Sequence, residues 1–177
     1  MNLRPFIRPG LDVLFLALSP PEQSNTNGHY FSGGSSRFYT LLYASRLITK
    51  PVLKSLGDEI VFGGTAVNHK NSEFGVIDLV DDLVQTNSRK VRPTRDHVDR
   101  ALTRVRQFEP RFVCVIHYKV RDSLNRHAGF TTMLDFGMCG PILADCKVEF
   151  VLNYFPNGSS ISDAPKLAIF RALRDAL

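Results

Sequence analysis

Residues 12–18 read D-V-L-F-L-A-L and stop at Ser19-Pro20-Pro21. A nearly continuous apolar run bounded by prolines reads as a strand buried on both faces, and such a strand needs a covering layer on each side. The pattern returns at residues 74–80 (F-G-V-I-D-L-V), 112–116 and 148–154. Helical signals lie between these strands. Phe38, Leu41, Leu42 and Ala44 have helical spacing within 37–47. Thr94 is the expected N-cap of a helix running to about Phe108, with Val98, Leu102 and Val105 on one face and Glu109-Pro110 as its stop. A short helix is expected near 119–124. After a turn at 156–160, Ser162 is read as the cap of a C-terminal helix, with Asp163 in its first turn and Pro165 near its start. Leu167, Ile169, Phe170 and Leu173 form the apolar face of that helix.

Buried strands alternating with helices predict an α/β fold, a three-layer α/β/α sandwich with a mostly parallel central sheet. Ligand sites in such folds lie at the carboxyl ends of the strands. Three loops therefore stand out: after Leu18, around Asp78 and after Tyr154. Residues 22–36 are expected to form a polar, Gly-rich loop of about fifteen residues, longer than an ordinary connection.

The 177 residues suit a single domain spanning 1–177. With 44% hydrophobic and 22% charged residues the composition is globular rather than disordered. The net charge of +5 makes a polyanionic partner plausible. Cys114, Cys139 and Cys146 are odd in number and form no CxxC pair, which argues against a disulfide scaffold or a Cys-rich zinc site. A reduced compartment is expected: cytoplasmic and nucleoid-associated in a bacterium, nuclear in a eukaryote. No apolar run approaches the ~18 residues of a membrane span, and residues 1–10 lack the apolar core of a secretory signal.

Gly33-Gly34 lacks the Lys-Ser/Thr of a phosphate-binding P-loop. His29 and His117 have no partner at metal spacing. The stretch Arg89-Lys90-Val91-Arg92, with Arg95, is a solvated face or a phosphate contact, and His117-Tyr118-Lys119 can line a DNA groove.

Two motifs carry a resemblance. The first runs Ala17-Leu18-Ser19-Pro20-Pro21, then Phe31, then Ser36-Arg37-Phe38-Tyr39. The second is Pro156-Asn157-Gly158-Ser159-Ser160-Ile161 before the last helix. In order and spacing they resemble the motifs of the uracil-DNA glycosylase superfamily, closest to its mismatch-specific uracil/thymine branch. That branch reads G-I-N-P-G, an aromatic, N-R-F-W and later P-N-P-S-G-L. The resemblance covers nearly the whole chain after Leu11. It implies a monofunctional hydrolase that removes a damaged or mismatched base, uracil first, from DNA in base excision repair. It also implies a monomer that needs no cofactor and no metal. The first motif is degenerate: the family's water-orienting Asn is Ser19, the Asn before Arg-Phe is Ser36, and Pro21 lacks a backbone N–H. A slow enzyme is therefore expected. The alternatives are a nearly inactive DNA-damage-binding module and a hydrolase of small nucleosides.

Base removal sets the chemical requirements. The sugar gains oxocarbenium character and the base leaves with negative charge, so the enzyme must flip the nucleotide, stack the base, donate hydrogen bonds to it and place a water. Phe31 is read as the stacking ring or as core. Asn157 is read as a contact to the base carbonyl or as an Asx-turn residue, and the resemblance adds Leu18 and Ser36 to the expected substrate-binding set. Asp78 interrupts an apolar run, so it either activates or orients water, with Ser19 holding it, or is a helix-capping or strand-end residue facing solvent. Ser159 and Ser160 suit phosphate binding and Ile161 a wedge into the gap of the flipped base, or all three belong to an ordinary helix start. Arg37 and Lys119 complete the expected DNA contacts.

Overall fold

The computed structural model describes residues 3–177. Its centre is a five-stranded sheet built from β1 (Val13–Ala17), β2 (Phe74–Asp78), β3 (Phe112–Val115), β4 (Gly137–Gly140) and β5 (Glu149–Leu152). The order is β2-β1-β3-β5-β4, parallel throughout except for the antiparallel edge strand β4. Helices are α1 (Glu22–Asn27), α2 (Phe38–Ala44), α3 (Gly57–Val61), α4 (Arg95–Phe108), α5 (Tyr118–His127) and α6 (Asp163–Ala176). The α/β sandwich expected from the sequence is the fold.

Strand alternation sorts the core into two layers. Leu14, Leu16, Ile77, Val113 and Val115 face Val98, Leu102 and Val105 of α4 and Val120 and Leu124 of α5. Val13, Phe15, Val76, Phe112 and Cys114 face Phe38 and Leu42 of α2, Val61 of α3, and Phe170 and Leu173 of α6. Phe15 lies at the centre of the second layer, edge-on to Phe38, Phe74 and Phe170. Such aromatic pairs add about 0.5–1.5 kcal/mol each beyond their burial.

Local signals explain the element ends. Thr94 caps α4 through a capping box with His97, and Glu109 leaves the helix in the left-handed region at φ 43°. Three elements differ from expectation. Residues 22–36 are not wholly a loop, because 22–27 form the short polar helix α1, ended by Gly28 at φ 78°. Helix α3 and strand β4 were not anticipated: α3 has five residues, and the half-exposed β4, Gly-Met-Cys-Gly, has no alternation to read. Ser162 precedes α6 as expected, but its side chain makes no capping bond. Among the described residues no helix is long and apolar enough to cross a membrane.

Candidate active site

Strand order reverses direction at β1, whose chain continues to β2 on one side while β3 lies on the other. Crevices form at the carboxyl ends of strands at such switch points. A cleft of about 300 Å³ opens there, at the small end of ligand pockets. The three loops singled out from the sequence build it. Leu18 and Ser19 come from the end of β1, Asp78 from the end of β2, and Phe155 and Asn157 from the segment after β5. Phe31 and Ser36 come from the chain leading into α2, and His117 follows β3.

Asp78 pairs with Ala17 in the sheet register, so its place at the cleft floor is set by strand pairing rather than by a loop. It is 5% exposed, and burial pushes its carboxyl up to about 7, with Asp81 adding in the same direction. The neighbouring Tyr30 hydroxyl works against that rise. Burial, then Asp78 itself, drives the Tyr30 hydroxyl far above the ordinary tyrosine range, so it stays a donor. Tyr30 is held by a buried carboxylate. Asp58 Oδ2 accepts the Tyr30 N–H at 2.8 Å, and Asp58 Oδ1 lies 2.9 Å from His29 Nδ1. The Tyr39 hydroxyl donates to the Tyr30 carbonyl at 2.9 Å.

Phe31 follows with φ 57°, a left-handed conformation rare for a bulky residue and costing about 1–3 kcal/mol. Its ring is stacked on Phe38, with centroids 3.9 Å apart and planes 17° from parallel, and it also lines the cleft. Both readings of Phe31 therefore meet in one residue: a half-buried ring anchored on the core and presented to the cleft. Ser36 is 7% exposed, and its Oγ has no hydrogen-bond partner among the described residues. A buried hydroxyl left unmatched at a cleft wall is a place for a ligand's polar atom.

Asn157 Oδ1 accepts the Arg37 N–H at 2.8 Å, which joins the last loop to the start of α2. That bond uses the acceptor and leaves the Nδ2 amide as the group Asn157 can offer a ligand. The loop is braced from below. Lys166 of α6, fully buried, donates its ammonium to the carbonyls of Gly158 at 2.6 Å and Pro156 at 3.2 Å.

His117 is the group that sequence reasoning undervalued. It is 4% exposed and lines the cleft. Its Nδ1 accepts the Lys119 N–H at 3.1 Å and so caps α5. Burial, reinforced by Lys119, pushes its pKa down to about 4. The imidazole is therefore neutral at pH 7, with its proton on Nε2, a donor beside the cleft. The sequence signal was available: a His directly after a buried strand, at the start of a helix.

The expected DNA contacts divide. Ser159, Ser160 and Ile161 are exposed and lie outside the cleft lining. Arg37 is engaged with Asp163 through two bonds of 2.7 and 2.5 Å, so it straps α2 to α6. Lys119 donates to the carbonyls of Ser88 at 2.5 Å and Val91 at 3.0 Å, and so pins the turn that walls the cleft. Among the described residues no group of three or more His, Cys, Asp or Glu is arranged to hold a metal ion.

Compared with protein-family models and with curated proteins, the chain has no match.

Proposed function

We propose that this protein is a monofunctional DNA glycosylase that hydrolyses the N-glycosidic bond of a flipped-out damaged or mismatched base, uracil first. The observation that carries the reading is the cleft itself. A buried carboxyl held near pH 7 faces a presented aromatic ring, a neutral imidazole and a side-chain amide in a space of about 300 Å³. A general base is most effective when its pKa lies near the working pH.

Each group has one task. Phe31 stacks the base, with Leu18 on the wall beside it. His117 Nε2–H and Asn157 Nδ2–H donate to the base as negative charge grows on it, the preorganised stabilisation that dominates such steps. Ser36 Oγ completes the polar rim. Asp78, ionised, orients a water with Ser19. The C1′–N bond breaks with its electron pair leaving on the base. The water oxygen bonds C1′, its proton passes to Asp78, and the base anion takes a proton from solvent. Ser19 is short and neutral, so it holds water but adds little charge stabilisation, and turnover is slow.

The test is an excision panel of uracil, thymine, hypoxanthine and xanthine in single- and double-stranded DNA, read as abasic sites, run beside free nucleosides. Abasic sites from at least one base are expected. Cleavage of free nucleosides alone would replace the reading with a nucleoside hydrolase, and binding without cleavage would replace it with a damage-binding module. Ser19→Asn, which restores a longer hydrogen-bonding group at the water position, should raise single-turnover excision at least about tenfold. An unchanged rate in a folded, DNA-bound variant would mean that Ser19 does not hold the water.

A further inference from the structure

Three large aromatic side chains beside the cleft are exposed where core burial would be ordinary: Tyr118 (48%), Phe155 (42%) and Phe136 (39%). They belong to two ring groups that meet where Tyr154 and Phe155 follow one another in the chain. Tyr118 stacks on His117 with centroids 4.8 Å apart and planes 25° from parallel. Phe155 meets His117 edge-on, with centroids 5.1 Å apart and planes at 61°. Tyr154, next in the chain, is stacked on Phe136 at 4.0 Å and 12°. The Arg121 guanidinium, also paired with Asp122, lies over Phe136 at 5.7 Å from its centroid. The first group sits at the cleft lip, where His117 and Phe155 are lining residues, and the second lies toward the sheet edge beside β4.

A basic turn lies beside the first group. Lys119 grips the carbonyls of Ser88 and Val91, and this presents Arg89, Lys90 and Arg92 next to the start of α5. Those three residues are exposed and belong to no ion pair of the described residues.

We propose that these rings and the basic turn form a track for single-stranded DNA leading away from the cleft. The inference rests on the proposed action on DNA and narrows its substrate to damaged bases in unpaired strands, leaving out mismatched bases, which exist only in a duplex. Exposed aromatic rings suit unstacked bases, which a duplex keeps to itself, and positive charge alongside follows the phosphates. A second copy of this chain, itself carrying a net charge of +5, would bury the same rings but set like charge against the cations beside them.

The experiment measures binding of labelled, undamaged oligothymidylate and of a duplex of equal length, so it is independent of excision. The single strand should bind at least tenfold more tightly. Tyr118→Ala and Phe136→Ala should each weaken it about tenfold, the size of one lost base stack, without changing the salt dependence. Arg89→Ala and Arg92→Ala should each lower the slope of log affinity against log salt by about one. Melting temperature serves as the folding control for every variant, and duplex affinity as a second control for the two ring variants. Equal affinity for the two DNA forms, or ring variants that leave oligothymidylate binding intact, would overturn the track. A protein dimer that Phe136→Ala dissociates would also overturn it and assign the surface to self-association. Tight single-strand binding lost in the ring variants, together with an empty excision panel, would leave the track standing and remove the glycosylase reading alone.

Discussion

Asp78→Asn is expected to lower excision about 100-fold, the loss that follows removal of one acid–base group. The substitution is nearly isosteric, so the cleft keeps its shape and DNA affinity should change little. The pH profile separates this role from a structural one. The ionised carboxylate is the active form, and burial holds its pKa at about 7. The wild-type rate should therefore rise with pH through 7 and level off above about 8. His117 contributes no limb in that range, because its pKa lies near 4. Loss of rate without loss of the pH dependence would remove Asp78 as the base.

The same variant should gain stability where the wild type gains activity. The folded-state pKa of Asp78 lies above the ordinary 3.8, so between those values the folded protein holds a proton that the unfolded chain has released. The contribution of Asp78 is complete below pH 3.8 and is lost as pH rises through about 7. Asn is neutral at every pH and escapes that loss. At pH 8 Asp78→Asn should be more stable than the wild type by about 2–4 kcal/mol, with the difference vanishing near pH 4. Thermal melts at the two pH values read this directly. Equal melting at pH 8 would mean that water in the cleft solvates the carboxylate fully, and the case for a poised base would fall with it.

The features legible in the sequence are those that depend on near neighbours. Strand β1 was readable because apolar residues run unbroken to two prolines, and α4 because Thr94 and Glu109 mark its ends. Asp78 was readable because one carboxylate broke an apolar run. Helix α1 was not, since a six-residue polar helix has no periodic face and owes its start to the Pro21 carbonyl. The supports of the cleft were hidden for a related reason. Asp58 reaches Tyr30, and Lys166 reaches the Pro156–Gly158 turn, only once the chain has folded. Arg37 and Lys119 looked like free cations because Asp163 and the Ser88 carbonyl are remote in sequence.

Lys166→Met is expected to cost about 1–3 kcal/mol of stability and to lower excision about tenfold or more. The ammonium is fully buried and makes two bonds to main-chain carbonyls. Bonds to a charged donor contribute about 1.5–3 kcal/mol each. Met fills the same volume and avoids the desolvation that pushes the Lys166 pKa below lysine's ordinary value, and water can reach part of the turn, so the net loss is smaller than two full bonds. The effect on rate has a different origin. Asn157 sits between the two braced carbonyls, and a loosened turn no longer aims its amide at the base. Small misplacements of positioning groups cost disproportionately in rate. A double-mutant cycle distinguishes this from general destabilisation. If Lys166 acts through Asn157, Lys166→Met in an Asn157→Ala background should add almost nothing to the rate loss while still lowering the melting temperature. Fully additive rate losses would place the contribution of Lys166 elsewhere than in the aim of Asn157.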